Sequence, residues 1–349
     1  MCEQRDRPKR SILMARTGHK SVQRGLHNRA VGIVVSIIVA AAQMYAEPLY
    51  SKIPYHTSLL TGEMWVQELL AGHPCQIKTE LGMQCDVFIH FVKSLVFSGL
   101  KPGRSVSYEE QAAIFLYACI TGLSTHHLGE HFQWSNDTIS HYFRAVLYIL
   151  SSSPFYGKYV CLPLATSSIP TEIQSNPKFF PFFEGAIGAV DGTHIACCPS
   201  APEHDLSRNR KGWFSQNCLA CCSFDMQFQY VLSGWDGSAA DAAIFNNARQ
   251  SDLRVPPGRY YLADAGFGAC ASLLIPYRGV RYHLAEWGRA GTRPANREEL
   301  FNLRHSSARN AVERIFGILK QRCVLVFECF SIIQTVQTTI QVHDSHQSS

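Results

Sequence analysis

A continuous run of small and apolar residues, 186–197, is interrupted by a single carboxylate at Asp191. A run this apolar is typical of a strand that is buried in the centre of a sheet. Because a buried ionised carboxylate is costly unless it is paired or bound to a cation, we expect Asp191 to lie at the end of this strand. The run therefore predicts a sheet-based core with a chemical site at one edge.

The segments that follow predict the rest of this sheet. Their periodicities indicate strands over 217–224, 227–233 and 259–262 and helices over 238–248 and 306–322. Three strands, a helix, a fourth strand and a later helix is the order of an RNase H-like fold, in which the first and fourth strands are neighbours. We therefore predict an α/β domain over residues 183–325, built as a mixed sheet flanked by helices.

Three acidic side chains are the candidate catalytic residues of this domain. Asp191 and Asp264 each follow a predicted strand, and Glu313 lies on the last helix on the same side as Arg309 and Lys320. Carboxylate oxygens suit Mg²⁺ or Mn²⁺, and two such ions at one site can activate a water molecule and stabilise a leaving oxygen. Taken alone, Glu313 is better explained as a surface residue paired with Arg309; beside the two strand-end aspartates, the role of third metal ligand is favoured.

Six sequence blocks carry a family resemblance: GAIGAVDGTHIA, NRKGWFSQNCLACCSFD, GWDGSAADAAIFNNA, YYLADAGF, YRGVRYHLAEW and LFNLRHSSARNAVERIFGILKQR. From about residue 56 to residue 320 the chain resembles the fungal branch of the PIF/Harbinger transposases and the Harbinger transposase-derived nucleases. Forty-eight residues, 265–312, separate Asp264 from Glu313, which lies within the spacing that these enzymes show for their last two acids.

The resemblance implies a role for each candidate residue. Asp191, Asp264 and Glu313 would be the DDE triad and would hold two Mg²⁺ or Mn²⁺ ions. Asp241 matches a further acidic position and would be an auxiliary metal ligand, or else a carboxylate at a helix N-terminus. The side chains that would contact DNA phosphates are Arg210, Lys211, Arg309 and Lys320. The family works on nuclear DNA, so we expect the nucleus, with the cytoplasm as the alternative, and no membrane association.

A helical region, residues 56–150, precedes a connector over 151–182 that is rich in proline and serine. Within this region a short helix after Ser124, a turn at Gln133–Trp134 and a longer helix from Ser135 outline a helix-turn-helix. The side chains that would then face DNA are Asn136, Thr138, Ser140, His141 and Arg144. Core packing alone also explains such a helix pair. In related systems a separate Myb-like protein often contacts the DNA, so docking of a partner is a third interpretation.

The two ends of the chain differ from the middle. Residues 1–29 carry eight Lys and Arg against two acids, whereas the other 320 residues carry 24 basic and 25 acidic groups. The stretch 30–46 is uncharged, which is compatible with a buried helix, a membrane anchor or an artefact of gene prediction. The tail 326–349 departs from the family pattern. The 13 cysteines, an odd number without framework spacing, favour reduced thiols and an intracellular protein.

These observations predict a metal-dependent DNA endonuclease or transposase, acting by hydrolysis alone or with strand transfer. The alternative is a catalytically silent, domesticated transposase relic that binds DNA or a protein partner. Self-association into a homo-oligomer stays open.

Overall fold

The computed structural model describes residues 25, 27–46, 54–197, 199, 204–282, 284 and 293–322. Residues 1–57 form one unit and residues 58–349 another. The predictions for the basic arm and for the tail 326–349 concern segments that lie almost wholly or entirely outside the described residues.

The first unit contributes helix α1, His27–Ala46, which includes the uncharged stretch 30–46. Its 20 residues have a mean hydropathy of 1.7 and none of its most apolar window is buried. At 1.5 Å per residue the helix is roughly 30 Å long, close to the thickness of a bilayer core. Among the described residues it is the one helix long and apolar enough to cross a membrane, by length and composition only.

Six helices form the first part of the second unit: α2 Gly62–Ala71, α3 Pro74–Leu81, α4 Cys85–Phe97, α5 Tyr108–Thr121, α6 Thr125–Phe132 and α7 Asn136–Ser151. Helix α3 lies inside the predicted helical region but was not singled out there, because half of its eight residues are polar and give no clear apolar period. Fully buried side chains from several helices, among them Phe88, Ile114 and Phe132, share one core cluster.

Helices α6 and α7 are joined by a tight turn in which Gln133 adopts a left-handed conformation with φ of 60°. Ile139 and Val146 of α7 pack into the helical core, whereas His141 and Arg144 are exposed. A DNA-contacting role for the exposed face of α7 stays a prediction.

The connector holds two short helices, α8 Phe155–Tyr159 and α9 Thr171–Gln174. Ile173 and Phe183 are buried in the same cluster as residues of the sheet and of the last helix. This segment therefore packs on the sheet as part of its core.

The sheet has five strands: β1 Ala186–Ala196, β2 Ser215–Cys222, β3 Phe228–Asp236, β4 Tyr260–Leu262 and β5 Leu273–Leu274. Their order is β3-β2-β1-β4-β5. Strand β1 pairs antiparallel with β2 and parallel with β4, which confirms the mixed sheet and the adjacency of the first and fourth strands. Strand β5 was not predicted, because two residues give no periodic signal.

Helices cover both faces of the sheet. After the short α10, His204–Ser207, helix α11, Asp241–Ser251, packs on one face, and helix α12, Arg297–Arg322, packs on the other. Helix α12 begins nine residues before the predicted residue 306. Its extra turns start where Asn296 Oδ1 accepts a hydrogen bond from the backbone N–H of Glu299, 2.8 Å away.

Candidate active site

The parallel register of β1 and β4 brings Asp191 and Asp264 together. Ala189 is level with Leu262, and each aspartate lies two residues further along its own chain. Residues two apart in extended chain face the same side, so both carboxylates are directed to the α12 face. The negative charge of Asp264 raises the pKa of Asp191, which agrees with this proximity.

Asp191 does not end its strand, contrary to expectation. Strand β1 continues to Ala196, paired on one side with β2. On the other side the pairing with β4 stops at Ala189. The neighbouring strand, not β1 itself, therefore ends near Asp191, and the carboxylate is partly exposed through the gap that follows.

Arg309 links Asp191 to Glu313. Its guanidinium donates to Asp191 Oδ2 over 3.0 Å and, with its other terminal nitrogen, to Glu313 Oε1 one turn further along α12. The Arg309 side chain is only 7% exposed, whereas that of Glu313 is 54% exposed. The predicted pairing of Glu313 with Arg309 is thus present, and the same arginine also reaches the sheet.

Burial controls the charge of Asp191. It raises the pKa of this carboxyl to about 6; Arg309 opposes the rise, and Asp264 adds to it. Three acidic groups and one buried arginine leave the site with an excess of negative charge, and such an excess favours a cation.

Within the described residues, no three His, Cys, Asp or Glu side chains are grouped closely enough to hold a metal ion. The donor chemistry nevertheless fits a hard divalent cation, since Asp191, Asp264 and Glu313 supply only carboxylate oxygens. As arranged, the Arg309 guanidinium occupies the space in which a metal shared by Asp191 and Glu313 would lie. Joint ligation by these two residues therefore requires Arg309 to leave them.

Polar contacts with Tyr282 and, through it, His305 hold the Arg309 side chain in place. Arg309 Nε donates to Tyr282 Oη over 2.8 Å, and this hydroxyl lies 3.3 Å from His305 Nδ1. His305 Nε2 lies 2.8 Å from the carbonyl oxygen of Leu274 in β5. Burial lowers the pKa of His305 to about 4. The imidazole is therefore neutral, with its proton assigned to Nε2 by the carbonyl it faces.

Asp241 lies on the opposite face of the sheet from Glu313. A Cβ atom on Gly192 would lie 2.0 Å from Asp241 Oδ1, and Gly192 faces away from Asp191 because side chains alternate along a strand. Asn217, which is paired with His194 across β1 and β2, donates to Asp241 Oδ1 over 2.6 Å. Asp241 is also the first residue of α11, as its predicted alternative role requires.

The four predicted phosphate contacts lie on two segments: Arg309 and Lys320 on α12, and Arg210 and Lys211 on the turn before β2. Arg309 is buried between the acids, whereas Arg210 and Lys211 are exposed on the turn before β2. The charges of Arg210, Lys211 and Lys320 all lower the pKa of His194, although burial of His194 lowers it most. Lys320 also interacts electrostatically with Asp191. Lys320 is thus close to the acidic site, and Lys211 interacts with Lys320 in turn.

Tyr282, His305, Asn217 and His194 were not identified as site residues from the sequence. Tyr282 and His305 lie inside the family blocks, and His305 precedes Arg309 by one helical turn. That spacing was the available signal. Asn217 and His194 also lie inside family blocks, but no spacing along the chain links them, because only strand pairing makes them neighbours.

Two family models match the chain. Residues 57–152 match one described as "Domain of unknown function (DUF8040)", and residues 190–346 match one described as "DDE superfamily endonuclease". No solved structure matches.

Curated relatives also match part of the chain. "Putative nuclease HARBI1" of Rattus norvegicus is 33% identical over 147 residues, which is 40% of this chain and 38% of that protein. The Homo sapiens protein of the same name is 31% identical over 143 residues, 40% of this chain and 37% of that protein. "Protein ALP1-like" of Arabidopsis thaliana is 25% identical over 238 residues, 63% of this chain and 54% of that protein. The matches thus span between about a third and about half of each relative, and they confirm the resemblance to Harbinger transposase-derived nucleases, whereas the fungal branch stays a prediction.

Proposed function

We propose that the chain is a metal-dependent DNA endonuclease, because residues 190–346 match the DDE superfamily endonuclease model and the chain is homologous to Harbinger transposase-derived nucleases. One observation carries the proposal. The β1–β4 register and the Arg309 bridge gather Asp191, Asp264 and Glu313 on one side of the sheet.

Asp191, Asp264 and Glu313 would hold the metal, Mg²⁺ or Mn²⁺, and two ions are proposed. When bound, such ions activate a water or hydroxyl nucleophile and stabilise the leaving oxygen of a phosphodiester. The acids would bind only in their ionised form. Because burial raises the pKa of Asp191 to about 6, we expect metal binding to weaken as the pH falls below about 6.

The surrounding residues would bind and orient the DNA. Lys320 interacts electrostatically with Asp191 and Lys211, and Arg210 and Lys211 lie on the exposed turn before β2; phosphate contacts of this kind supply most of the sequence-independent affinity for DNA. Arg309, once released from Asp191 and Glu313, would keep Tyr282 as a partner and could donate two parallel hydrogen bonds to a phosphate. Cleavage alone and cleavage followed by strand transfer use the same groups. Nuclear localisation and a Myb-like partner belong to the proposal as well.

The test is nicking of supercoiled plasmid and of labelled oligonucleotides by the full chain with Mg²⁺ or Mn²⁺. Asp191→Asn and Glu313→Gln keep the side-chain shape but remove the charge, and we expect both to abolish cleavage. Glu298→Gln is the matched control. This exposed glutamate lies on the same helix as Glu313 but in its first turn, whereas Glu313 lies in the second half of the helix. Folded protein that binds DNA but cuts it with neither metal would instead support the silent relic.

A further inference from the structure

An exposed tryptophan lies at the tip of the turn that precedes β2. Trp213 is 73% exposed and follows the exposed pair Arg210 and Lys211. Large aromatic side chains are usually buried, at least in part, because their exposure to water is costly. An exposed tryptophan next to two cations is therefore a candidate contact surface.

The turn is ordered by its own hydrogen bonds. Asn209 Oδ1 accepts from the backbone N–H groups of Lys211 and Trp213, at 2.9 and 3.1 Å. The backbone N–H of Asn209 donates to the carbonyl of Trp213, and Gly212 takes the positive φ of 82° that closes the turn. Asn209 Nδ2 also donates to Ser215 Oγ, which lies 3.1 Å from His194 Nδ1. The indole is thus presented on a preorganised scaffold that costs little entropy on binding.

The turn continues the charged surface of the proposed active site. Lys211 interacts electrostatically with His194 and with Lys320, and Lys320 interacts with Asp191. Asp191 is level with Ala220, five residues beyond Ser215 on β2. At about 3.3 Å per residue the turn begins roughly 17 Å from Asp191 along the strand, or about five nucleotides at 3.4 Å each. Trp213 is therefore too distant to touch the reacting phosphate.

We propose that Trp213 is a stacking platform for an unpaired base of the bound DNA strand, with Arg210 and Lys211 contacting the adjoining phosphates. The face of a base is open to an indole only where the base is unpaired or at a strand end. Stacking on an aromatic ring is independent of base identity, and cations beside the ring track the backbone. The inference rests on the proposed function, because it assumes that DNA is the substrate.

The two kinds of contact have different signatures in binding experiments. Fluorescence anisotropy measures how tightly the full chain binds a labelled single-stranded oligonucleotide and its blunt duplex. EDTA is present to remove divalent metal, so that cleavage cannot interfere. Loss of one stacked base weakens binding roughly tenfold. We expect Trp213→Ala to show this loss for the single strand with an unchanged salt dependence, and Trp213→Phe to restore most of the affinity. Lys211→Gln should instead reduce the slope of log affinity against log salt by about 1.

The control is Phe97→Ala, which removes an aromatic side chain that is 87% exposed at the end of α4; its affinity should equal that of the wild type. Wild-type affinity in Trp213→Ala, or no recovery in Trp213→Phe, would overturn the stacking role while leaving the nuclease proposal intact. If no protein, including the wild type, binds either DNA, both proposals fail together. Because Trp213 is exposed, the variants should unfold at the wild-type temperature, which circular dichroism checks.

Discussion

Glu110 is a buried carboxyl that should make the stability of the helical region depend on pH. The residue is 1% exposed. Its Oε1 accepts a hydrogen bond of 2.8 Å from Trp134 Nε1. Burial raises its pKa from 4.5 to about 7, the Trp134 hydrogen bond opposes the rise, and the charge of Glu63 adds to it. The folded state therefore binds the proton more tightly than the unfolded state does.

The sign of the effect follows from this difference. The stabilisation is fully present below about pH 4.5 and is lost as pH rises through about 7. A rise of about 2.5 pKa units corresponds to roughly 3 kcal/mol, of which about 2.5 kcal/mol is lost between pH 5 and pH 8. The neutral variant Glu110→Gln keeps an acceptor for Trp134 but cannot ionise, so its unfolding free energy lacks this contribution.

The assay is urea unfolding at several pH values between 5 and 8, followed by tryptophan fluorescence. Only the difference between wild type and Glu110→Gln is interpreted, because Asp191, whose pKa burial raises to about 6, also titrates in this range in both proteins. The exposed Glu68→Gln serves as the control. Parallel pH profiles for wild type and Glu110→Gln would refute the reasoning.

Three further predictions follow from contacts in the core and site. Gly192→Ala places a methyl group 2.0 Å from Asp241 Oδ1, so it should cost about 1–3 kcal/mol in urea unfolding, whereas Gly268→Ala, with open space around it, should not. Ile173→Ala empties a site in the connector that is 0% exposed and should cost about 2–5 kcal/mol; a loss below about 1 kcal/mol would show that the connector is not part of the core. Arg309→Gln removes the guanidinium that competes for Asp191, so calorimetry should show roughly tenfold tighter Mn²⁺ binding; weaker binding would mean that the arginine supports the site.

Most elements of the sheet domain, strand β5 excepted, could be predicted from local sequence. Strand and helix periods report which residues face a core, and the pattern around Asp191, Asp264 and Glu313 is carried by short blocks that do not depend on distant contacts. The neighbouring positions of the first and fourth strands also follow from element order, since few connections suit a mixed sheet. The expected start of α12 was wrong by nine residues because the capping residues Asn296 and Glu299 precede the apolar stripe.

Only the tertiary structure determined which groups meet. The alternation of β1 puts Asp191 and Gly192 on opposite faces, so that Glu313 and Asp241 end on different sides of the sheet although all four lie in one region. Strand pairing made His194 and Asn217 neighbours, and helix packing buried Arg309 between two acids and Glu110 beside Trp134. Local sequence sets the identity and spacing of side chains, whereas burial and charge pairing depend on residues that are distant along the chain.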